Sequence, residues 1–299
     1  MVLPESANLS RMVRHIGSPL LGLLAWDMIV VGLYVVVPHR DGFIPPLPMT
    51  LLGSALALFI GFRNSAAYGR WWEARTLWGA LVNSSRSVAR GVLNLIDDNP
   101  ESLRLRHALV RRQIAYTHAL RCHLRRQPCW DEIAPFLPEG EVQELRGVTN
   151  VPNAILNGTS QLVASAAVAG WIDSIRRIQI EDEIVALTNA QGGVERIKNT
   201  PMPREYDFYP TLFSRAFCVI LPLGLVDSLL YFTPLVSTVV GFMFLAMDRI
   251  GDDLQNPFDN MVHDVPLSAL TRTIEIDLEE MIGRRDAPKP LQPIDHVLW

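Results

Sequence analysis

MTLLGSALALFIGFRNSAAYGRWWEAR, residues 49–75, starts as an apolar helix and continues as a charged one. Met49 to Phe62 carry no charge, then Arg63 arrives, and the helical rhythm runs on through Arg70 to Arg75. Fourteen apolar residues fall short of the ~20 that cross ~30 Å of hydrocarbon. This helix spans a membrane only if it continues past Phe62. Gly53, Ala57 and Gly61 recur every fourth residue and form a stripe of small side chains that lets another helix approach closely. Ser54, Leu58 and Phe62 form a second stripe ~100° round the helix. If copies pack through the small stripe, the second stripe can face a shared axis. Leu58 and Phe62 would then make an apolar constriction, which gates ions by dewetting. The same periodicity also fits an ordinary packed membrane helix.

Three further apolar stretches lie outside this one. Residues 18–38 are long enough to span and contain Asp27; residues 209–226 contain Arg215; residues 228–247 carry no charge. Only Asp227 separates the last two, which predicts a tight hairpin turning at Asp227. Residues 38–46, PHRDGFIPP, predict a similar turn between the first two. Charges in such stretches are costly in lipid, so Asp27 and Arg215 are expected to face protein or to pair with each other. Of the 27 Lys and Arg residues, eighteen fall between Arg63 and Arg204. Arg11 and Arg14 precede the first span, Arg249 follows the last, and the outer turns hold only Arg40. The basic bias places both termini and the long middle segment in the cytoplasm. The N-terminus lacks an A-x-A-like cleavage site, so the first apolar stretch is read as retained.

The expected organisation is a cytosolic segment at 1–17, a membrane hairpin at 18–62, and a helical cytosolic region at 63–208. A second hairpin at 209–247 and a cytosolic segment at 248–299 complete it. The middle region shows apolar residues every three or four positions and no useful period-2 run, so the fold class is all-α. Pro and Gly clusters at 135–140 and 150–158 predict loops or turns, GGVERIKNTPMP at 192–203 the end of a helix, and 283–299 an irregular tail. A hydrophobic fraction of 49% beside a charged fraction of 19% suits a chain partly in lipid and partly in water. The net charge of −4 does not predict a nucleic-acid partner. Cys122, Cys129 and Cys218 form no disulfide framework.

Catalytic and cofactor signatures are missing: no Walker A, G-x-S-x-G, H-E-x-x-H or C-x-x-C pattern occurs. CHLRRQPC at 122–129 has poor spacing for a metal. His107, His118 and His123 are read as lying on cytosolic helix faces, and RCHLRR as a solvated one. No enzyme activity and no cofactor are expected.

LLGSALALFIGFRNSAAYGRWWEARTLWG closely resembles the signature of bacterial bestrophins, homologues of the animal bestrophin channels. DDLQNPFDNMVHDVPL, 252–267, matches that family's Asn-Pro-Phe segment and its Asp-x-Pro-Leu ending, and GGVERIKNTPMP also fits. The resemblance covers roughly 10–283. It implies a homopentameric ion channel in the bacterial inner membrane, with one pore on the fivefold axis and the second membrane helix forming the neck. The three neck positions fall on Ser54, Leu58 and Phe62, and a cytosolic aperture falls on Ile175. Trp71 and Trp72 would anchor near the interface. Family members usually carry a larger apolar residue where Ser54 stands, so the outer neck is expected to be wider and wetter. Animal members bind calcium through an acidic run after Asn-Pro-Phe. Here Met261 and Val262 interrupt it, leaving Asp259 and Asp264 as a weak possible metal pair. The alternative for Asp252, Asp253, Asp259 and Asp264 is a solvated loop with helix-capping aspartates. Animal members conduct chloride and bacterial relatives include cation conductors, so the ion is chloride or a monovalent cation such as sodium. The rivals are a secondary transporter, for which Pro222 would break a span, and a membrane-anchored sensor working through 63–208. The expected partners are further copies of the chain, the lipid bilayer and small inorganic ions.

Overall fold

The computed structural model describes residues 9–37 and 47–299, with side chains from residue 17 onward. The expected turn at 38–46 and the side chains of Arg11 and Arg14 lie outside the described residues. The chain is all-helical. Among the described residues, the only strand-like pairing is an isolated bridge between Ile294 and Val297 in the otherwise irregular tail.

Among the described residues the ten α-helices are α1 (Leu9–Val36), α2 (Met49–Leu95), α3 (Pro100–Arg125), α4 (Trp130–Ile133), α5 (Glu139–Leu145), α6 (Val151–Val168), α7 (Ser174–Asn199), α8 (Arg204–Leu229), α9 (Thr233–Gln255) and α10 (Leu267–Met281). Contacts divide the described chain into two compact units. One holds Trp72–Thr200 and Pro257–Trp299; the other holds the described residues up to Trp71 and Pro201–Asn256.

Helix α2 answers the question its sequence raises. It runs unbroken for 47 residues, about 70 Å at 1.5 Å per residue. One buried stripe explains why it has no reason to stop. Leu56, Ile60, Arg63 and Ala67, and then Ala74, Trp78, Leu81, Ser85, Val88 and Val92, are buried at alternating three- and four-residue steps, with the half-buried Arg70 and Trp71 bridging the seven residues between Ala67 and Ala74. The packing face therefore persists while the outer faces change from apolar to charged.

In the unit holding the apolar helices, α1, α8 and α9 pack together. Leu56 and Ile60 of α2 meet Phe217 and Leu221 of α8, and Val30 and Val31 of α1 meet Val226. Gly17–Val36 and the stretch Arg204–Gln255 are long and apolar enough to cross a membrane. The α8–α9 turn lies beyond the expected place. Helix α8 continues through Asp227 to Leu229, and the reversal occurs at the 3-10 turn Leu230–Phe232, entered by Leu230 at φ 46°. Asp227 instead sits in the last turn of α8 and accepts a hydrogen bond from Tyr34 Oη at 2.6 Å. Pro222 lies inside α8 without ending it, so the helix break expected of a transporter is not there. Asp27 does face protein, but not through Arg215. It accepts hydrogen bonds from Ser237 Oγ and Thr238 Oγ1, each at 3.1 Å.

In the other unit, α3 is the central helix, flanked by α6, α7 and α10. Residues 150–158 begin a helix instead of forming a turn. Asn150 caps α6 by accepting from Asn153 N at 3.1 Å, and Gly158 lies inside it. A Cβ at Gly158 would fall 2.2 Å from Arg112 Nη2. That space admits the buried Arg112 guanidinium, which pairs with Glu141 at 2.5 Å and donates to Ile155 O at 3.1 Å. The stretch 192–203 ends a helix as expected: α7 runs through Gly192 and Gly193 and stops at Asn199.

The RCHLRR segment is not a solvated face. Cys122 and Leu124 are buried, Arg121 pairs with Glu132, and Arg125 donates to Ser268 Oγ at 2.8 Å. His118 is buried too. Its Nδ1 lies 3.0 Å from Glu132 and its Nε2 3.2 Å from Glu275, and the ring stacks on Phe136. Burial alone would raise the Glu275 pKa, but the hydrogen bond and charge of His118 together with Arg272 outweigh it, and the value is lowered. All three cysteines are free and buried.

Candidate functional site

The three neck candidates lie together on one face of α2, opposite the buried stripe. Leu58 and Phe62 are each 59% exposed, and Ser54 is exposed as well. From Ser54 to Phe62 the face rises about 12 Å. Ser54 Oγ donates back to Leu51 O at 3.0 Å, so the hydroxyl is partly satisfied by its own helix. Phe62 also borders a groove of about 400 Å³ with Phe59, Tyr206, Tyr209 and Phe213. The small stripe is used unevenly. Gly53 packs beneath Phe217 of the same chain, where a Cβ would lie 3.3 Å from the ring, whereas Ala57 is exposed and Gly61 has open space.

One residue past Phe62, the last of the neck candidates, stands a charge cluster that sequence reasoning did not find. Arg63 is 1% exposed. Its Nη1 binds Asp248 Oδ1 at 2.6 Å and Asp248 O at 3.1 Å. Its Nη2 binds Asp207 at 2.7 Å and also reaches Asp252. Thr211 donates to the same Asp248 oxygen at 2.9 Å, and Asn64 donates to Met247 O at 2.8 Å. Helix α9 comes this close because Gly251 faces α2: a Cβ there would fall 2.5 Å from Asn64 Oδ1. Asp252 and Asp253 thus belong to helix α9 and not to a solvated loop. Arg63 holds Asp252, and Arg249 pairs with Asp253 at 3.1 Å. The available signal was the spacing Asp248, Asp252, which puts two carboxylates on one face of a helix.

Ile175 lies in the first turn of α7 and is 71% exposed. Asp173 caps that turn, accepting from Ile175 N and Arg176 N at 2.9 Å each. The two metal candidates have other partners. Asp259 pairs with Lys198 at 2.5 Å. Asp264 is buried; one oxygen accepts from Met261 N at 3.0 Å and the other has no partner. No group of three metal-binding side chains occurs among the described residues.

The sequence model of the bacterial and fungal bestrophin family matches residues 6–280. The chain belongs to this family. As a bestrophin it is a member of an ion-channel family of membrane proteins. It is 35% identical over 249 residues to the voltage-dependent anion channel-forming protein YneE of Escherichia coli K12, covering 83% of this chain and 81% of that protein. The YneE protein of Salmonella typhi is 36% identical over 241 residues, with 81% and 78% covered. The crystal structure of a bacterial bestrophin homologue from Klebsiella pneumoniae superposes with a TM-score of 0.85 at 31% identity, covering 90% of this chain and 99% of that one.

Asp264 gives this bestrophin a pH signature. Burial pushes its carboxyl from the ordinary value of 3.8 up to about 6. The folded chain keeps a proton that the unfolded chain releases. The stabilisation is therefore complete below about pH 4 and is lost as the pH rises through about 6. Asp264→Asn mimics the protonated group and should remove this slope, a difference of roughly 1–3 kcal/mol across the window. Melting curves of detergent-solubilised protein at several pH values check it. Equal slopes in both forms would show that Asp264 is not the titrating group.

Proposed function

We propose that this bestrophin is a channel that conducts small inorganic ions passively through an apolar neck made by α2 from five copies around one axis. Four membrane-spanning helices in two hairpins, with both termini in the cytoplasm of the bacterial inner membrane, place 63–208 on the cytoplasmic side. Ser54, Leu58 and Phe62 line the neck, Ile175 forms the cytosolic aperture, and Ala57 and Gly61 admit a neighbouring copy. The observation that carries this reading is the exposure of Leu58 and Phe62 on the face of α2 opposite the buried Leu56, Ile60 and Arg63. Large apolar side chains placed one turn apart on such a face suit a dewetting constriction. The ion is an anion such as chloride, following the names of the YneE relatives.

Planar-bilayer recording of the purified protein in asymmetric salt tests this. Unitary currents with a reversal potential on the chloride side are the expected result. A reversal on the cation side would assign sodium or a similar cation. Silence from correctly assembled protein would favour a transporter or a sensor.

A further inference from the structure

We propose that Arg215 and Arg249 hold the phosphate ester of an inner-leaflet phospholipid in the crevice between α1, α8 and α9, an inference that rests on the membrane reading above. The crevice encloses about 460 Å³. Leu23, Val219 and Leu245 give it an apolar wall, and Arg215, Arg249, Asp248 and Asp252 a polar end. The carboxylates are already engaged: Arg63 binds both, and Thr211 also donates to Asp248. Arg249 reaches Asp253 at 3.1 Å and Asp252 at 3.9 Å. Arg215 is exposed and forms no hydrogen bond or ion pair within 4 Å among the described residues; its electrostatic partner is Asp248, which Arg63 and Thr211 already hold.

An arginine that shares its counter-charge with a second arginine is under-compensated in this position. It lies fourteen residues before Leu229, the last residue of α8, or about 21 Å along the helix. Measured from the outer turn, that leaves the Arg215 backbone about 9 Å short of the far side of a ~30 Å hydrocarbon layer, and a side chain leaning toward the start of α8 brings the guanidinium towards the inner boundary. A charge there is costly unless it meets a counter-charge or reaches the headgroups. A lipid phosphate meets both conditions. The planar guanidinium can grip two of its oxygens, while the apolar wall accepts the start of an acyl chain. Basic pockets between membrane helices on the cytoplasmic side bind lipid headgroups by this chemistry.

The test is native mass spectrometry of the full-length protein in a neutral detergent, titrated with phosphatidylglycerol, with phosphatidylcholine and with inorganic phosphate. Wild type should retain phosphatidylglycerol about tenfold better than phosphatidylcholine, and Arg215→Gln should abolish the difference. Val219→Trp fills the crevice and leaves both arginines in place; it should also abolish it, which guards against misfolding of the first variant. Equal retention of the two lipids by wild type, or undiminished preference in both variants, would overturn the proposal. Competition by millimolar inorganic phosphate would assign the site to a free anion and overturn the lipid assignment. Currents from the same wild-type preparation report separately on the channel reading, which stands or falls on them whatever lipid is retained.

Discussion

Arg63→Leu should leave almost no folded, assembled protein. The guanidinium is the shared partner of Asp207, Asp248 and Asp252, and its own exposure is 1%. Removing it leaves three carboxylates facing one another, one of them buried, with no cation at their centre. Breaking a single buried pair by deleting one partner costs about 3–5 kcal/mol. Whole domains are stable by only about 5–15 kcal/mol. Arg63→Lys keeps the charge but cannot fork towards three acceptors, so it should fall between leucine and wild type. Asp248→Asn added to Arg63→Leu should recover part of the loss by removing the buried negative charge. The checks are the yield of monodisperse protein on size exclusion and its melting temperature in detergent. A leucine variant that assembles and melts like wild type would show that the cluster does not hold this end of α2.

The double variant Leu58→Ala, Phe62→Ala should do the opposite: leave the protein folded and change its current. Both side chains stand on the exposed face of the chain, so truncation opens no cavity within it, and a stability change within about 0.5–1 kcal/mol is expected. If five copies of these side chains set the dewetting barrier, shortening them widens and wets the neck. Lowering the barrier by about 1–2 kcal/mol raises the current roughly five- to thirtyfold. Single-channel recording reads this directly as conductance or open probability. Unchanged currents from properly assembled double variant would remove Leu58 and Phe62 from the permeation path.

The two substitutions also mark where the sequence was readable and where it was not. The four-residue rhythm of Ser54, Leu58 and Phe62 and the continuation of α2 beyond Arg63 follow from helical periodicity, a local property. The apolar stretches around α1, α8 and α9 follow from length and hydropathy. Arg63 was visible as an interruption, but its role depends on residues 144 to 189 positions away, and no local pattern encodes that pairing. His118 failed for the same reason: nothing near it announces that Glu275 arrives from a distant helix. Gly158 read as part of a turn because glycine has poor helix propensity. In the fold it is a helical position where the Arg112 side chain needs the space. The turn at 230–232 was placed early because Asp227, the only charge between two apolar runs, looked like the water-facing residue. Its carboxylate is instead satisfied by Tyr34.

The burial of the three thiols has a practical consequence for studying permeation. Only thiolates react quickly with alkylating or methanethiosulfonate reagents. Burial raises the pKa of Cys122, and that of Cys129 to about 11, so neither ionises appreciably near neutral pH, and Cys218 is closed off by packing. The natural chain is therefore nearly blank to sulfhydryl chemistry while it stays folded. A single cysteine introduced on the exposed face of α2 would be the one fast-reacting position in the chain. Its labelling rate from either side of a bilayer would then map which residues the permeating solution reaches, without first rebuilding the protein free of cysteine.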